Sequence, residues 1–482
     1  MTARQDRAVV IGGSLAGLLA ARVLADVYPA VTVVERGLLP ATDEPRREVP
    51  QSTQAHALQP RGQQIISDLF PGITQDMVAD GAQFGDTAAD AHWFVGGRPL
   101  RQVRSGLVTV MCSRPFLDRH VCARVRELST VELVERCAVT GLVAGRDRVT
   151  GVRLATGDVL DADLVVDATG RGSRTPAWLA LLDRGRVRED RVTIRLGYAT
   201  RRYRIRPDSG YDGKMILVIA TPGQPRGAIC GTVEDDQFVV TLSGMLGDHP
   251  PADPAGFTAF ARSLPAAVHD VIRLAEPLGD PVAHQFPASR FRRYDLLSGL
   301  PDGLVMVGDS VCSFNPIHAQ GMSVAAVGAD VLRRHIARGA PRSRAVMRDL
   351  VRTAVRPAWR AMLLSDLAHP GVPGRRTPPG NLARAYWSRA QLAATADERV
   401  ADALLRVIAL TDPFTALLHP GTATRILRRP DSGSTPARPS AHAPGDPVVA
   451  DVVVDDRGAG PGADAAGAVD GDDRAGHVRG TR

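Results

Sequence analysis

Ala8-Val9-Val10-Ile11-Gly12-Gly13-Ser14-Leu15-Ala16-Gly17 is the stretch that decides the architecture. Four apolar residues read as a short buried strand, and glycines end it. From Leu15 to Val27 the pattern is helical, with Ala16, Ala20 and Ala21 as small residues on one face. Ala30–Val34 is β-branched and stops at Glu35, so the opening is a βαβ unit. In such a unit Gly12 permits a tight turn, and Gly17 lets helix and strand approach closely. The helix N-terminus carries roughly +0.5 charge and favours a pyrophosphate. Ser14 replaces the second glycine of the dinucleotide fingerprint and still allows backbone approach. Glu35 lies 18 residues past Gly17, where a carboxylate accepts hydrogen bonds from a ribose with a free 2′-hydroxyl. Arg36 adjoins it.

Two more elements follow in order. Asp163-Leu164-Val165-Val166-Asp167-Ala168-Thr169-Gly170 is an apolar strand that turns at Gly170. Leu304–Val307 is another buried strand and delivers Gly308-Asp309, whose carboxylate can bind sugar-alcohol hydroxyls. A loop with Pro316 comes next, and Gln320-Gly321-Met322 opens a helix over Gly321–Arg338 that Gly339 ends. That helix N-terminus can stabilise negative charge on a ring carbonyl.

Between these elements the chain is rich in strands. Val139–Val143, Val149–Leu154 and Val159–Val166 form one group; Arg191–Arg206, Lys214–Ala220, Gly227–Val233 and Gln237–Ser243 form another. Leu350–Leu427 is mostly helical. The final segment, 431–482, holds nine Asp, five Arg and no aromatic residue, and it reads as disordered.

Composition narrows the function classes. Hydrophobic residues make up 44% and charged residues 23%, which excludes a disordered or collagen-like chain. The net charge is +7, but Lys214 is the only lysine among 59 basic residues. Arginine-rich usage with 47 Gly and 35 Pro reads as genome composition, and aromatics at 4% do not interleave a basic stripe. No nucleic-acid partner is expected. The five cysteines show no metal-binding spacing, so no metal is expected and reduced thiols in the cytoplasm are. No run approaches the ~18 apolar residues of a membrane span.

With these motifs in this order, the chain resembles the glutathione-reductase-like FAD proteins, and among them the flavoprotein monooxygenases of the para-hydroxybenzoate hydroxylase type. The resemblance implies an α/β fold: a glutathione-reductase-like FAD-binding Rossmann domain with an inserted antiparallel β-sheet substrate domain and a helical C-terminal region. The expected domains are 1–180 with 285–345 for FAD, 185–284 for substrate, 346–430 helical and 431–482 as the tail. Carried onto this chain, the cofactor residues are Gly12, Ser14, Gly17, Glu35, Arg36, Gly170, Gly308, Asp309, Pro316, Gln320, Gly321 and Met322. Pro45-Arg46-Arg47, Val49-Pro50-Gln51, Ala55-His56-Ala57-Leu58, Ser113-Arg114-Pro115, Arg171-Gly172-Ser173-Arg174 and Cys312-Ser313-Phe314-Asn315-Pro316 look like actinobacterial polyether-type flavin epoxidases, relatives of squalene epoxidase. In that subgroup Arg47 and Arg114 fall near the flavin. The subgroup has Gly-Arg-His before the Ala-His, where this chain has Ser52-Thr53-Gln54, and Tyr-Gly before the Gln-Gly-Met, where this chain has His318-Ala319.

The resemblance further implies that a flavin C4a-hydroperoxide passes one oxygen atom of O2 to a hydrophobic small molecule, by epoxidation or hydroxylation, in secondary metabolism. Electrons come from NAD(P)H or from a separate reductase, since no second glycine-rich βαβ unit is present. His318 is the one nearby group that titrates near neutrality and is the candidate catalytic acid. Leu196, Tyr198, Met215, Leu217, Val240 and Leu242 are candidates to face substrate. The competing readings are an FAD reductase or dehydrogenase on the same fold, and a flavin-binding partner whose chemistry is lost through Thr53, Gln54, His318 and Ala319. A halogenase is disfavoured because the Trp-x-Trp-x-Ile-Pro signature is absent.

Overall fold

Arg7–Ile11 is the middle strand of a five-stranded parallel sheet. The spatial order is Leu304–Met306, Leu164–Asp167, Arg7–Ile11, Ala30–Val34 and Val131–Val134. Val9 sits opposite both Val165 and Thr32, and Val165 sits opposite Leu304. Leu164–Asp167 and Leu304–Met306 are buried at every position, as continuous apolar runs should be in a parallel sheet covered on both faces. The computed structural model describes residues 7–44, 50–209, 211 and 213–428. Arg47 and the segment 431–482 lie outside the described residues.

Helix Leu15–Leu24 packs on this sheet and against helix Gly321–Ile336. The first ends three residues earlier than its pattern suggests. Gly339 does stand past the last turn of the second, with φ +109° and its N–H on Ile336 O.

The stretch Val159–Val166 is two strands, not one. Val159–Asp161 is antiparallel to Val149–Leu154, and Leu164–Asp167 enters the parallel sheet. The chain changes sheets at two residues: Ala162 N–H bonds Thr150 O, and Asp163 N–H bonds Arg7 O.

A second sheet has nine strands, built chiefly from antiparallel pairs. Its main path is Cys312–Ser313, Val282–Arg292, Glu189–Ile205, Gln237–Gly244, Arg226–Thr232, Met215–Ile219, Ala91–Val95 and Arg98–Pro99, with Ala275–Pro277 beside Glu189–Ile205. The four strands expected between 191 and 243 are all present. Ala91–Val95 joins them from far away in sequence and pairs in parallel with Met215–Ile219. Val282–Arg292 runs across the expected boundary at 284–285 and pairs with both Glu189–Ile205 and Cys312–Ser313, so it ties the sheet to the loop after Asp309. Helices Arg356–Asp366, Pro378–Ala393, Glu398–Ile408 and Pro420–Leu427 form the C-terminal region. Among the described residues no helix is long and apolar enough to cross a membrane.

Candidate functional site

The glycine turn is built by close approach. Gly12 has φ +100°, and its N–H bonds Val34 O at 2.8 Å. A Cβ on Gly17 would stand 1.8 Å from Gly12 O, so only glycine lets the helix start this near the strand. Ser14 caps that helix without a side-chain cap bond, and the first turn holds no acidic residue. Positive charge is added instead: Arg114 Nη2 donates to Ser14 Oγ at 3.1 Å, and Arg114 Nε is held by Asp118 at 2.8 Å. Arg114 stands at the N-terminus of Arg114–Arg126, which Ser113 caps through Phe116 N–H. Glu35 is buried beside the turn and accepts from Gly13 N–H at 2.7 Å and Gly37 N–H at 3.0 Å. Arg36 is exposed.

The three separated motifs converge on Asp309. A Cβ on Gly170 would lie 3.8 Å from Asp309 Cβ, and one on Gly321 would lie 3.9 Å from Asp309 Oδ1. Gly308 touches the first helix, where an added Cβ would come within 2.7 Å of Ala16 Cβ. Gly170 N–H donates to Ser310 Oγ at 3.2 Å. Burial pushes the Asp309 carboxyl up to about 6, against the pull of the Arg114, Arg171 and Arg292 guanidiniums. No hydrogen bond to this carboxyl comes from the described residues. Gln320 is buried at the start of Gly321–Ile336, and its Oε1 also lacks a partner among them. Met322 follows in the first turn of that helix, and Pro316 opens the short turn before it.

Two residues that hold this junction carry no signal in sequence. Arg292 is buried and forks onto main-chain oxygens of both loops, Ser310 O at 2.9 Å and Arg171 O at 2.7 Å. In sequence it is one arginine among many. Asp167 is fully buried and accepts from Thr169 N–H, Ser173 Oγ and Thr175 Oγ1 at 2.9, 2.5 and 2.6 Å. It fixes the bend after the strand from below.

His318 is tied to the C-terminal helix Arg356–Asp366. Its Nε2 lies 2.9 Å from Asp366 Oδ1, which also accepts from Asn315 Nδ2 at 2.9 Å. Ala319 next to it holds φ +50°, ψ +33°, the left-handed conformation that glycine takes without strain. Gln54, another departure from the subgroup pattern, is buried against the large sheet. Its Oε1 accepts from Thr200 Oγ1 at 2.5 Å, and Thr241 Oγ1 accepts from Ala55 N–H at 3.1 Å. Lys214 is bonded to Phe84 O and paired with Asp90.

An open cleft lies between the segment Thr53–Gln59 and the large sheet. Met215 and Leu217 line it with Trp93, Ile229 and Val239. Leu196, Tyr198, Val240 and Leu242 do not; they are packed in the hydrophobic core, because alternate residues of their strands face inward. A smaller cavity shares His56, Cys112 and Ser113 with the cleft and reaches Arg114 and Met322. Arg114 therefore touches both the glycine turn and this cavity. Burial pushes the Cys112 and Cys230 thiols in the cleft wall up. Among the described residues no group of acidic, histidine and cysteine side chains is arranged to hold a metal ion.

No protein-family model matches the chain. Protein Rv3254 of Mycobacterium tuberculosis is 38% identical over 386 residues, which cover 76% of this chain and 81% of that protein. Solved structures share the fold at low identity. The flavin-dependent halogenase CmlS matches with TM-score 0.61 and 18% identity over 85% of this chain and 77% of its own. PqsL, a probable FAD-dependent monooxygenase from Pseudomonas aeruginosa, matches with TM-score 0.56 and 19% identity over 84% and 99%. The tetrameric form of 2-methyl-3-hydroxypyridine-5-carboxylic acid oxygenase matches with TM-score 0.57 and 17% identity over 85% and 98%. The α/β fold, with its parallel sheet, large antiparallel sheet and C-terminal helices, is that of the FAD-binding monooxygenases.

Proposed function

The chain belongs to one family with Protein Rv3254 of Mycobacterium tuberculosis, and from that premise and the geometry of its site we propose that it is an FAD-dependent monooxygenase acting on a hydrophobic small molecule. The observation that carries the reading is the convergence of Gly170, Gly308 and Gly321 on Asp309, a half-buried carboxyl with no donor among the described residues. A ribityl hydroxyl supplies the donor that Asp309 lacks. The chain's other groups fit the rest of FAD. The Gly12–Gly17 turn, the helix N-terminus and Arg114 suit the pyrophosphate, and Glu35 suits the adenosine ribose. Arg36 completes this half in the same reading, and Arg47 belongs near the flavin. Gln320, Gly321 and Met322 place a helix N-terminus and the unpartnered Gln320 Oε1 toward the ring end. Pro316 fixes the loop before them.

When bound and reduced, FAD would supply an activated oxygen atom derived from O2. The protein's part is to bind, orient and keep the cleft dry. The apolar wall of Trp93, Met215, Leu217 and Val239 does this for a hydrophobic substrate. We read the reaction as epoxidation or hydroxylation in secondary metabolism, of the polyether-epoxidase kind. Electrons come from NAD(P)H bound in passing or from a separate reductase. Gln54 and His318 are absorbed into scaffold hydrogen bonds, which favours retained chemistry over a flavin-binding partner without it.

The test is cofactor content followed by product. The wild type should purify yellow with one FAD, whereas Asp309→Ala should be colourless though folded, and Gly12→Val should be colourless as well. Stoichiometric FAD in both variants overturns the site. Oxygen uptake matched by oxygenated product separates a monooxygenase from a reductase or dehydrogenase.

A further inference from the structure

We propose that His56 is the hydrogen-bond acceptor through which the cleft selects a substrate carrying a hydroxyl group. The inference rests on reading the cleft as the substrate site. His56 lines both the open cleft and the small cavity that Arg114 and Met322 also line.

The tautomer follows from geometry. Nδ1 of His56 lies 2.9 Å from Gln54 O. A carbonyl oxygen only accepts, so Nδ1 carries the hydrogen. Burial and the nearby Arg114 charge lower the ring's pKa to about 4, so it is neutral at physiological pH. In a neutral ring with its hydrogen on Nδ1, Nε2 holds a lone pair. No donor among the described residues meets that lone pair.

The cleft that His56 lines is largely apolar. An acceptor in such a wall is satisfied by a ligand O–H and left unpaired by a hydrocarbon of the same shape. Sites of this kind reject the analogue lacking the hydroxyl, because the buried polar group loses its water without a replacement. Gln54 also explains why the ring is held. Its side chain is bonded to Thr200, which anchors the residue whose main-chain carbonyl fixes Nδ1.

The substrate class is thus a hydrophobic alcohol or phenol. The probes are 2-naphthol and 2-methylnaphthalene, alike in shape but different in donor. Calorimetry on the wild-type protein should show 2-naphthol binding at least tenfold more tightly. His56→Phe should erase the preference, and His56→Gln, whose Oε1 can stand where Nε2 stood, should restore part of it. Long-range proton–nitrogen spectra of the wild type need no variant. His56 Nε2 should be unprotonated and should shift on adding 2-naphthol but not 2-methylnaphthalene. Equal affinity of the two probes, no binding of either, a preference intact in His56→Phe, or a hydrogen on Nε2 would each overturn the inference. Failure of the monooxygenase reading shows elsewhere, in FAD content and oxygenated product.

Discussion

Nε2 of His318 and Oδ1 of Asp366 lie 2.9 Å apart and join the loop after Asp309 to the C-terminal helix Arg356–Asp366. Asn315 reaches the same oxygen, so one buried carboxylate holds both ends of the turn that precedes Gly321. The expected catalytic acid is thus bonded to a buried carboxylate in this geometry.

Asp366→Ala leaves His318 and Asn315 without their shared acceptor in a buried place. It should destabilise the protein by about 2–4 kcal/mol in urea unfolding at pH 7. Asp366→Asn retains one acceptor oxygen and should cost clearly less. Equal losses in the two variants would mean that packing, not this acceptor, is what Asp366 supplies.

Asp309 gives a pH signature in the cofactor-free protein. Its folded pKa is raised to about 6, so the native state holds its proton more tightly than the unfolded chain. The stabilisation is complete below about pH 4, the unfolded value, and is lost as pH rises to about 6. Asp309→Asn removes this dependence. It should match the wild type near pH 4 and exceed it by roughly 1–3 kcal/mol at pH 8. Urea midpoints measured from pH 4 to 8 give the difference curve. A flat difference would show that the carboxyl is not desolvated.

Ala319 sits in left-handed backbone at φ +50°. Ala319→Gly relieves that strain but loosens the unfolded chain, for a net gain of about 0.5–1 kcal/mol. Ala319→Val adds a branched side chain there and should lose more than about 1 kcal/mol. Thermal melts that rank Val, Ala and Gly in any other order would refute the assigned conformation.

Arg292 spans the Gly170 and Asp309 loops through Ser310 O and Arg171 O. Arg292→Leu should cost roughly 3–5 kcal/mol, since several main-chain oxygens lose a buried charged donor. Arg292→Lys keeps the charge without the planar fork and should recover part of the stability. FAD affinity measured by fluorescence should fall in both, because Asp309 rides on the same loop.

The opening unit was legible from residues alone. An apolar run, glycines at close spacing and a helix of small residues have few physical solutions, and the structure adopts the one expected. The motifs at Gly170 and Asp309 were legible because buried parallel strands leave continuous apolar runs. The sheet change at Ala162 and Asp163 was not, since both neighbouring strands are apolar and only hydrogen bonds to Thr150 and Arg7 separate them. Nor was Ala91–Val95, whose partner Met215–Ile219 lies more than 100 residues on.

The glycine turn, the order of the three glycine motifs and the strand-rich block between them are readable from the residues alone, because these depend on local spacing. Tertiary structure alone decided which side chains do the holding. Asp366 reaches His318, Arg292 forks across two loops, and His56 presents a fixed tautomer to the cleft. Each depends on a partner distant in the chain or on the burial around it, and neither quantity is written in local spacing.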